Sequence, residues 1–315
     1  MRSIFALDRL VGRGDNVKAN AQDRDIDVRP APFEYVAPST VEEALQQVEQ
    51  HGDEAKLLAG GQSLVPLLNF RFAAPTVLID LNAIEGLGSM SVGDELVVDA
   101  MVRQRDVETA DDVQAALPVL GETLGHVGHV AIRSRGTIAG SVAHADPAAE
   151  LPALLLALDG TVVATGPAGS REIAARDFFV SIFTTALEPD EMITSVRIPC
   201  APGGAAVEEV ARRHGDFALA GAVAQVETDP NGTISGARLA LFGVDATPVR
   251  ADAAEELLIG ENPEDAAVLE AAGRAAADGV SPVDDAQVPA SYKKRITGVV
   301  ARRAVARAAA RSKSA

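Results

Sequence analysis

Apolar and polar positions near residue 40 alternate with the spacing of an amphipathic helix. Its apolar face consists of Val41, Ala44, Leu45 and Val48. Ser39 and Glu42 stand where a capping box begins a helix, since a hydroxyl residue is followed three positions later by a carboxylate. The pattern therefore predicts a helix that begins near Ser39 and ends at the His51-Gly52 pair.

Short apolar runs bounded by glycine, proline or acidic residues predict buried strands. These runs cover residues 56–59, 77–79, 96–98, 161–165 and 192–198. Between them, residues 102–125, interrupted at Pro118, and residues 151–158 are expected to be helical. Helices and strands thus alternate along the first two thirds of the chain.

Proline and glycine cluster at residues 199–204, which predicts a linker between two units. Beyond it, the Asn231-Gly232 pair lies between two apolar runs, as is typical of a hairpin. Two or three helices are expected to close the chain. The last, from about Tyr292, is rich in lysine and arginine and has no acid, which predicts either a solvated face or a subunit contact.

Composition narrows the possible functions. The 315 residues, 47% of them hydrophobic, provide for two domains with a substantial core. The net charge of −17 argues against a nucleic-acid partner, because phosphate contacts need clustered basic residues. The apolar run at 151–158 is too short for a membrane span. A single cysteine, Cys200, excludes a disulfide framework and an iron–sulfur cluster held by this chain alone, and it predicts a cytoplasmic protein.

Residues 1–28 differ from the rest of the sequence. Charged residues are scattered through them, and their apolar stretch is too short for a signal peptide. They are expected to form a mobile N-terminal extension, with an arm that docks on a partner as the alternative.

Two glycine-containing turns are the candidates for chemistry. Ala59, Gly60, Gly61, Gln62 and Ser63 follow a predicted strand. Adjacent glycines let successive backbone N–H groups point at one anion. The second turn offers the same chemistry through Thr137, Gly140 and Ser141. Two such turns suit a diphosphate, and neither has the spacing of a P-loop or of GxGxxG. A structural turn without a ligand is the alternative for each.

Three histidines are candidate metal ligands. His126, His129 and His144 have no cysteine or acid that completes a recognisable metal-binding spacing. The sequence therefore predicts no metal site in this chain.

Longer motifs around both turns resemble a known family. KLLAGGQSLVPLLNFR (56–71), followed by LIDL (78–81), and RGTIAGSVAHADPAAELP (135–152) are similar to the two flavin loops of the FAD-binding medium subunits of molybdenum hydroxylases. That family includes aerobic carbon monoxide dehydrogenase, bacterial heterocycle hydroxylases and the flavin domain of xanthine dehydrogenase. The resemblance covers about residues 29–312 and includes DFF (177–179), LEPDE (187–191) and GDF (215–217).

The resemblance implies an α+β fold with three parts. Residues 1–28 would precede a PCMH-type FAD-binding domain at 29–204. This domain would have two α/β subdomains, about 29–82 and 83–204, the second with a mixed sheet. Residues 205–315 would form a C-terminal α+β domain of the carbon monoxide dehydrogenase flavoprotein type, with a small antiparallel sheet and helices.

The resemblance also implies site residues for FAD. The first loop would wrap the diphosphate with Lys56, Leu57, Leu58, Ala59, Gly60, Gly61, Gln62, Ser63 and Leu64. The other side would be held by Thr137, Gly140 and Ser141, with Ile132 and His144 close by. Glu150 would lie near the adenosine or ribityl hydroxyls, and Leu187 would pack on the flavin. Asp216 and Phe217, assigned as catalytic, would approach the isoalloxazine ring and control access to it.

Three positions depart from the family pattern. Ala139 and Ser141 replace a glycine and an asparagine of the usual second loop, and Ser141 keeps a donor. Glu209 stands where many relatives have a lysine, so that contact is not carried over. Gln62 stands where carbon monoxide dehydrogenases commonly have histidine, which favours a heterocycle or purine hydroxylase.

The implied function is electron transfer in a complex. A large molybdenum-pterin subunit would oxidise the substrate, a small subunit would pass electrons through 2Fe–2S clusters, and FAD in this chain would deliver them to an external acceptor. A dimer of heterotrimers is the implied assembly. Two alternatives stay open: a stand-alone FAD oxidoreductase of the same fold, and a nucleotide-binding module without redox use.

Overall fold

The computed structural model describes residues 28–200, 203–286 and 288–312. The predicted extension at 1–28 therefore lies, apart from Val28, outside the described residues. The first structural layer consists of β1 (Glu34–Val36), α1 (Val41–His51), β2 (Ala55–Leu58), α2 (Leu64–Asn69) and β3 (Val77–Asp80). Its strands are parallel in the order β1–β3–β2. Strands β2 and β3 therefore end at the same edge of the sheet.

The cap of α1 lies one residue beyond its predicted position. The Thr40 hydroxyl accepts a hydrogen bond from the backbone N–H of Glu43 at 3.1 Å. The Glu43 carboxylate in turn accepts from the backbone N–H and the hydroxyl of Ser39. The predicted capping box of Ser39 and Glu42 is therefore wrong, because either adjacent hydroxyl residue fits the sequence pattern and only the backbone geometry selects Thr40.

A second sheet occupies the middle of the chain. The strands of this region are β4 (Met90–Val92), β5 (Glu95–Asp99), β6 (Thr161–Gly166), β7 (Gly169–Ala174), β8 (Phe179–Ser181), β9 (Thr184–Thr185) and β10 (Met192–Pro199). Five of them form a sheet in the order β4–β5–β10–β6–β7, and β8 pairs with β9 in a separate hairpin. Every pairing in the five-stranded sheet is antiparallel.

The mixed sheet implied by the resemblance is thus corrected. Tight hairpins join β4 to β5 and β6 to β7, and such connections allow only antiparallel pairing. Strands β5 and β6 run in the same direction but never touch, because β10 inserts between them.

Short helices connect and cover this sheet. They are α3 (Gln104–Thr109), α4 (Asp111–Ala116), α5 (Pro118–His126), α6 (Val130–Arg133), α7 (Ile138–His144), α8 (Glu150–Ala157) and α9 (Ala175–Phe178). The helix predicted over 102–125 is thus three helices, the last with Pro118 in its first turn, where a missing N–H costs nothing. Every residue of α8 is buried, as its continuous apolar run predicts.

The C-terminal part is an antiparallel sheet covered by helices. It consists of β11 (Gly204–Val210), β12 (Ala220–Thr228), β13 (Ile234–Phe242), β14 (Val249–Arg250), α10 (Asp252–Leu258), α11 (Ala266–Asp278) and α12 (Ala290–Ser312). The predicted hairpin at Asn231-Gly232 joins β12 to β13. Helix α12 packs on β11 and β12, and the carbonyl of Ala308 lies so close to Gly204 that a Cβ there would be 2.0 Å away.

The two parts share buried surface. Val207, Val223 and Phe242 from the C-terminal sheet belong to the same apolar cluster as the sheet and helices of residues 28–200. A second cluster joins the other face of that sheet to α10, α11 and α12. Within the described residues, no helix is long and apolar enough to cross a membrane. We call residues 28–200 the first lobe and residues 203–312 the second lobe.

Acids of the same chain neutralise part of the basic face of α12. Arg307 pairs with Glu122 and Glu208, and Arg311 pairs with Glu122 at 2.7 Å. Because Glu122 belongs to α5, these ion pairs tie the last helix to the first lobe. The basic face of α12 is therefore not only solvated: part of it contacts the first lobe of the same chain.

Candidate functional site

A pocket of about 400 Å³ lies where β2 and β3 end. Its walls are Leu58, Ala59, Gly60, Gly61, Gln62, Val65, Pro66, Asp80, Asn82 and Arg135. The first glycine turn thus forms much of the lining. Arg135, which lies just before the second turn, also lines the pocket. Loops at the carboxyl ends of parallel strands are a common position for ligand sites in α/β layers.

The two glycine turns are in direct contact. A Cβ on Gly60 would lie 2.2 Å from the carbonyl oxygen of Arg135 and 2.7 Å from the Cα of Gly136. On the other side, a Cβ on Gly140 would lie 3.6 Å from the side chain of Ala59. Only glycine at position 60 permits this approach. The fold therefore joins two distant sequence motifs into one structure.

The first turn contains backbone donors that have no partner among the described residues. The backbone N–H groups of Gly60, Gly61, Gln62 and Ser63 form no hydrogen bond with another described residue. Gly61 has φ +73°, and the Gln62 side-chain amide donates to the Gly60 carbonyl at 3.1 Å, which closes the turn. Successive N–H groups in such a turn form a concave binding site for an anion. These donors fit a diphosphate.

Two residues that were not identified from the sequence link the two turns by hydrogen bonds. The Asn82 side-chain amide donates to the carbonyl of Ala59 at 3.1 Å. Arg103 donates to the Asn82 side-chain oxygen and, at 2.8 Å, to the carbonyl of Arg135. This chain of hydrogen bonds, which we call the Asn82–Arg103 bridge, links the first turn to the second. Neither residue belongs to a spaced or periodic motif, so no local pattern indicates it.

The pocket has a mixed but favourable charge for an anion. Burial lowers the pKa of the Arg103 guanidinium, and the charge of Arg135 lowers it further. Asp80 is turned to other partners: it accepts from Tyr35 and from both the backbone and the side chain of Asn82. Although burial opposes the effect, these bonds and the charge of Arg103 hold the pKa of Asp80 below its usual value. The pocket lining therefore carries one arginine, Arg135, and one carboxylate, Asp80, that is already bonded to other partners, and Arg103 adds a second positive charge behind the lining.

Hydrogen bonds from a helix cap and from the buried Gln104 fix the second turn. The Thr137 hydroxyl caps α7 by accepting from the N–H of Gly140 at 2.9 Å. Gln104 is 3% exposed, and its backbone N–H donates to the carbonyl of Gly136 at 2.8 Å. Its side-chain amide donates to the carbonyl of Thr137 at 3.3 Å. Among the described residues the Oε1 atom of Gln104 has no hydrogen-bond partner. Gln104, like Asn82 and Arg103, supports the turns and was not identified from the sequence.

The remaining predicted FAD residues occupy several places. Lys56 and Leu57 lie on β2 upstream of the pocket, and Ser63 and Leu64 begin α2 beside it. Ser141 lies on α7 after Gly140. Leu187 is half-buried against the core of the first lobe. None of these six residues lines the pocket itself, and their assignment to FAD stays a prediction.

His144 and Glu150 lie away from the pocket. The His144 ring stacks on Phe183 with centroids 4.9 Å apart, and burial lowers its pKa. Glu150 is 6% exposed at the start of α8, and burial raises its pKa to about 7. Their predicted roles toward FAD stay predictions.

Asp216 and Phe217 lie in the loop of residues 211–218, which connects β11 to β12. Phe217 is 67% exposed. The carboxylate of Asp216 lies 3.7 Å from the guanidinium of Arg212. A Cβ on Gly215 would lie 2.8 Å from the carbonyl oxygen of Gly128, and Gly128 in turn packs against Ile132. The loop thus meets the segment that contains Ile132, which the resemblance places near the flavin.

Two family models match this chain, one on each lobe. Residues 31–201 match the FAD binding domain in molybdopterin dehydrogenase. Residues 205–308 match the CO dehydrogenase flavoprotein C-terminal domain. The first match includes both glycine turns, Asn82 and Arg103, and the second includes the 211–218 loop.

Known proteins resemble the chain over nearly their whole length. It is 39% identical to the 6-hydroxypseudooxynicotine dehydrogenase complex subunit alpha of Paenarthrobacter nicotinovorans, over 91% of this chain and 97% of that protein. A chain of carbon monoxide dehydrogenase from Hydrogenophaga pseudoflava superposes with a TM-score of 0.87 at 39% identity, covering 90% of this chain and 99% of that one. Quinoline 2-oxidoreductase from Pseudomonas putida 86 gives 0.86 at 34% identity, with the same coverage.

Proposed function

The chain belongs to the family of FAD-binding domains of molybdopterin dehydrogenases, and on that premise we propose that it is the FAD-binding subunit of a multi-subunit molybdenum hydroxylase. It takes electrons from the iron–sulfur clusters of a partner subunit and passes them through FAD to an external acceptor. One observation carries the proposal: the contact of Gly60 with Arg135 makes a single anion-binding structure from both glycine turns.

The residues of this chain bind and orient the cofactor. The free N–H groups of residues 60–63 and the arginine at position 135 hold the diphosphate, and the Asn82–Arg103 bridge fixes the distance between the two turns. When bound, FAD supplies a two-electron carrier that exchanges electrons with clusters on one side and an acceptor on the other. Phe217, exposed on its loop, controls access to the ring, and Asp216 sets the polarity beside it.

The metal centres lie in partner chains. One cysteine is too few for a 2Fe–2S cluster, which needs four thiolates. The partners are therefore a small iron–sulfur subunit and a large molybdenum-pterin subunit, assembled as a dimer of heterotrimers in the cytoplasm. The names of two relatives, quinoline 2-oxidoreductase and the 6-hydroxypseudooxynicotine dehydrogenase complex, support a heterocycle as the substrate of the complex.

The two lobes correspond to the proposed domain division. We assign 29–204 to the PCMH-type FAD-binding domain and 205–315 to the C-terminal flavoprotein domain. The Pro- and Gly-rich segment between β10 and β11, together with the separate sheet order of each part, supports this boundary.

Purification of the tagged chain from its native cells tests the proposal. Flavin, iron and molybdenum are measured in the same sample, and the co-purifying chains are identified by mass. The proposal predicts one FAD per chain with iron and molybdenum in two additional subunits. Flavin in an isolated, catalytically active chain would support the stand-alone oxidoreductase, and a nucleotide without flavin would support the non-redox module.

A further inference from the structure

Three ionisable side chains lie on the elements through which the two lobes touch, near the 211–218 loop: α5 packs on both α8 and β11, and the charges of His126 and Glu209 act on Glu150. His126 ends α5 in the first lobe, Glu150 begins α8 in the same lobe, and Glu209 lies near the end of β11 in the second. The Nδ1 atom of His126 lies 3.2 Å from the Oε1 atom of Glu209. This ion pair links the two lobes, and helix α5 packs against both α8 and β11.

The arrangement leaves a buried carboxylate oxygen without a partner. The Glu209 side chain is only 5% exposed, and its Oε2 atom has no hydrogen-bond partner among the described residues. A buried carboxylate in this state is costly unless a proton or a cation stabilises it. Glu150, itself 6% exposed, brings a second carboxyl group to the same region.

The cluster sits at the base of the loop. Glu209 directly precedes Val210, whose carbonyl accepts from the N–H of Leu219 at 2.8 Å and so closes the loop. The rings of His126 and His214 have centroids 6.5 Å apart, so the loop also approaches the histidine of the cluster. Interactions that fix the position of Glu209 therefore also restrain the first residues of the loop.

We propose that Glu209, His126 and Glu150 form one proton-holding cluster between the lobes, and that its protonation state sets how firmly the 211–218 loop is held. Glu209 and His126 are thus positioning residues for the loop, and Glu150 is the group whose proton controls them. Only the importance of the loop for FAD rests on the proposed function; the proton-dependent movement does not.

The charges of the cluster favour a bound proton near neutral pH. Burial raises the pKa of Glu150 to about 7, and the charge of Glu209 raises it while that of His126 lowers it. The hydrogen bond with Glu209 raises the pKa of His126 above its ordinary value, although burial opposes this. At low pH the cluster contains one ion pair and one neutral acid. As the pH rises, Glu150 ionises and repels Glu209, and His126 loses the proton that maintains its ion pair with Glu209.

Other charged groups reach the cluster from each neighbouring element. They are Glu122 on α5, Asp146 in the turn before α8, Glu208 on β11, Arg212 and His214 in the loop, and Arg307 and Arg311 on α12. The two arginines of α12 are occupied by Glu122 and Glu208. His126 is thus the cation that pairs directly with Glu209.

Hydrogen exchange of the full chain without FAD tests the proposal. Exchange of residues 211–218 is followed at about pH 6 and about pH 8 and corrected for the intrinsic rate. We expect protection to fall about tenfold, since one proton linked over one pKa unit changes an equilibrium tenfold. Glu150→Gln should show a smaller fall in protection than the wild type, because only His126 of the cluster then loses a proton in this range, and Glu209→Gln should show low protection at both pH values. Equal protection of the wild type at both pH values would overturn the proposal.

Two controls separate the possible failures. Glu49→Gln removes an exposed carboxylate from α1 and should exchange like the wild type. The NMR titration of His126 in the wild type needs no variant: a pKa above about 6.5 is expected, and one at or below that value would contradict the ion pair. FAD binding is measured on the same samples. A chain that binds no FAD but shows the pH-dependent protection contradicts the proposed function only.

Discussion

Gly60 and Arg135 touch through their backbones, although one lies in each of the two glycine motifs. A Cβ added to Gly60 would overlap the carbonyl oxygen of Arg135 at 2.2 Å. The same carbonyl accepts a hydrogen bond from Arg103 at 2.8 Å, so its position is fixed from the opposite side. The distance between the two turns is therefore set by packing and hydrogen bonding within the protein.

Replacing Gly60 by alanine should separate the turns. The added methyl group meets backbone atoms, which cannot move aside as a flexible side chain does. We expect Gly60→Ala to weaken FAD binding by at least about tenfold, or about 1.4 kcal/mol. Gly88→Ala is the matched control, because nothing lies within 4 Å of a Cβ at that position. Equal FAD dissociation constants for the two variants, measured by calorimetry, would show that the contact has no role in binding.

The Asn82–Arg103 bridge should act as a unit. Asn82→Ala and Arg103→Gln each break the hydrogen-bond chain between the carbonyls of Ala59 and Arg135. Both should raise the FAD dissociation constant, and the double variant should be less affected than the sum of the two. A coupling free energy of about 0.5–3 kcal/mol is expected for groups in one network. Strictly additive effects would mean that the two residues act separately.

Residues of the candidate site could be recognised from the sequence where they belong to a local turn motif. Gly60 and Gly61 are identified as adjacent glycines and Thr137 as a hydroxyl residue in a glycine-containing turn, and the structure brings these two turns together. Asn82, Arg103 and Gln104 were missed, because each makes its contacts with residues far away in the chain and leaves no periodic or spaced signal.

Pairing between distant strands was equally hard to predict. The hairpin at Asn231-Gly232 has its own turn signal, and it was predicted correctly. The position of β10 between β5 and β6 depends on contacts across the whole first lobe, so the second sheet was wrongly expected to be mixed. Short strands such as β4 have too few residues to show an alternating pattern.

A buried ion pair supports the segment behind the second turn. Arg133 is 6% exposed and donates to both carboxylate oxygens of Glu108, at 2.8 and 2.9 Å. Arg133→Gln should lower the free energy of unfolding by about 1.5–3 kcal/mol, since two charge-assisted hydrogen bonds are lost while Arg105, 2.9 Å away, still pairs with Glu108. Arg197→Gln, which breaks the exposed pair with Glu172, should cost at most about 1 kcal/mol. Urea unfolding compares them; similar losses would contradict this assignment.

Stability should fall as the pH rises toward 8 because of Glu150. Its pKa is about 4.5 when unfolded and about 7 when folded, so the folded chain binds the extra proton within that range. The stabilisation is complete below the lower value and is lost as the pH rises through the upper one, by about 3 kcal/mol. His126, whose pKa is raised, acts in the same direction. Urea unfolding from about pH 5 to about pH 8 should show a smaller slope for Glu150→Gln, and an unchanged slope would refute the effect.

Phe217 should affect the acceptor more than the cofactor. Its side chain is 67% exposed on the 211–218 loop. We expect Phe217→Ala to keep its FAD and its stability but to change the rate at which reduced protein reacts with quinones or oxygen. Phe72→Ala, at another exposed phenylalanine, is the control and should react like the wild type. Loss of FAD without a change in acceptor rate would reassign the loop to binding.

Binding of FAD, ADP and riboflavin to the purified chain distinguishes a diphosphate site from a site for the flavin ring alone. If the joined glycine turns bind a diphosphate, FAD and ADP carry the group they need and riboflavin lacks it. We expect about one FAD per chain, competition by ADP, and riboflavin binding at least about a hundredfold weaker than FAD, or about 2.7 kcal/mol. A chain that takes up no FAD, or that binds riboflavin as tightly as FAD, would contradict the diphosphate site.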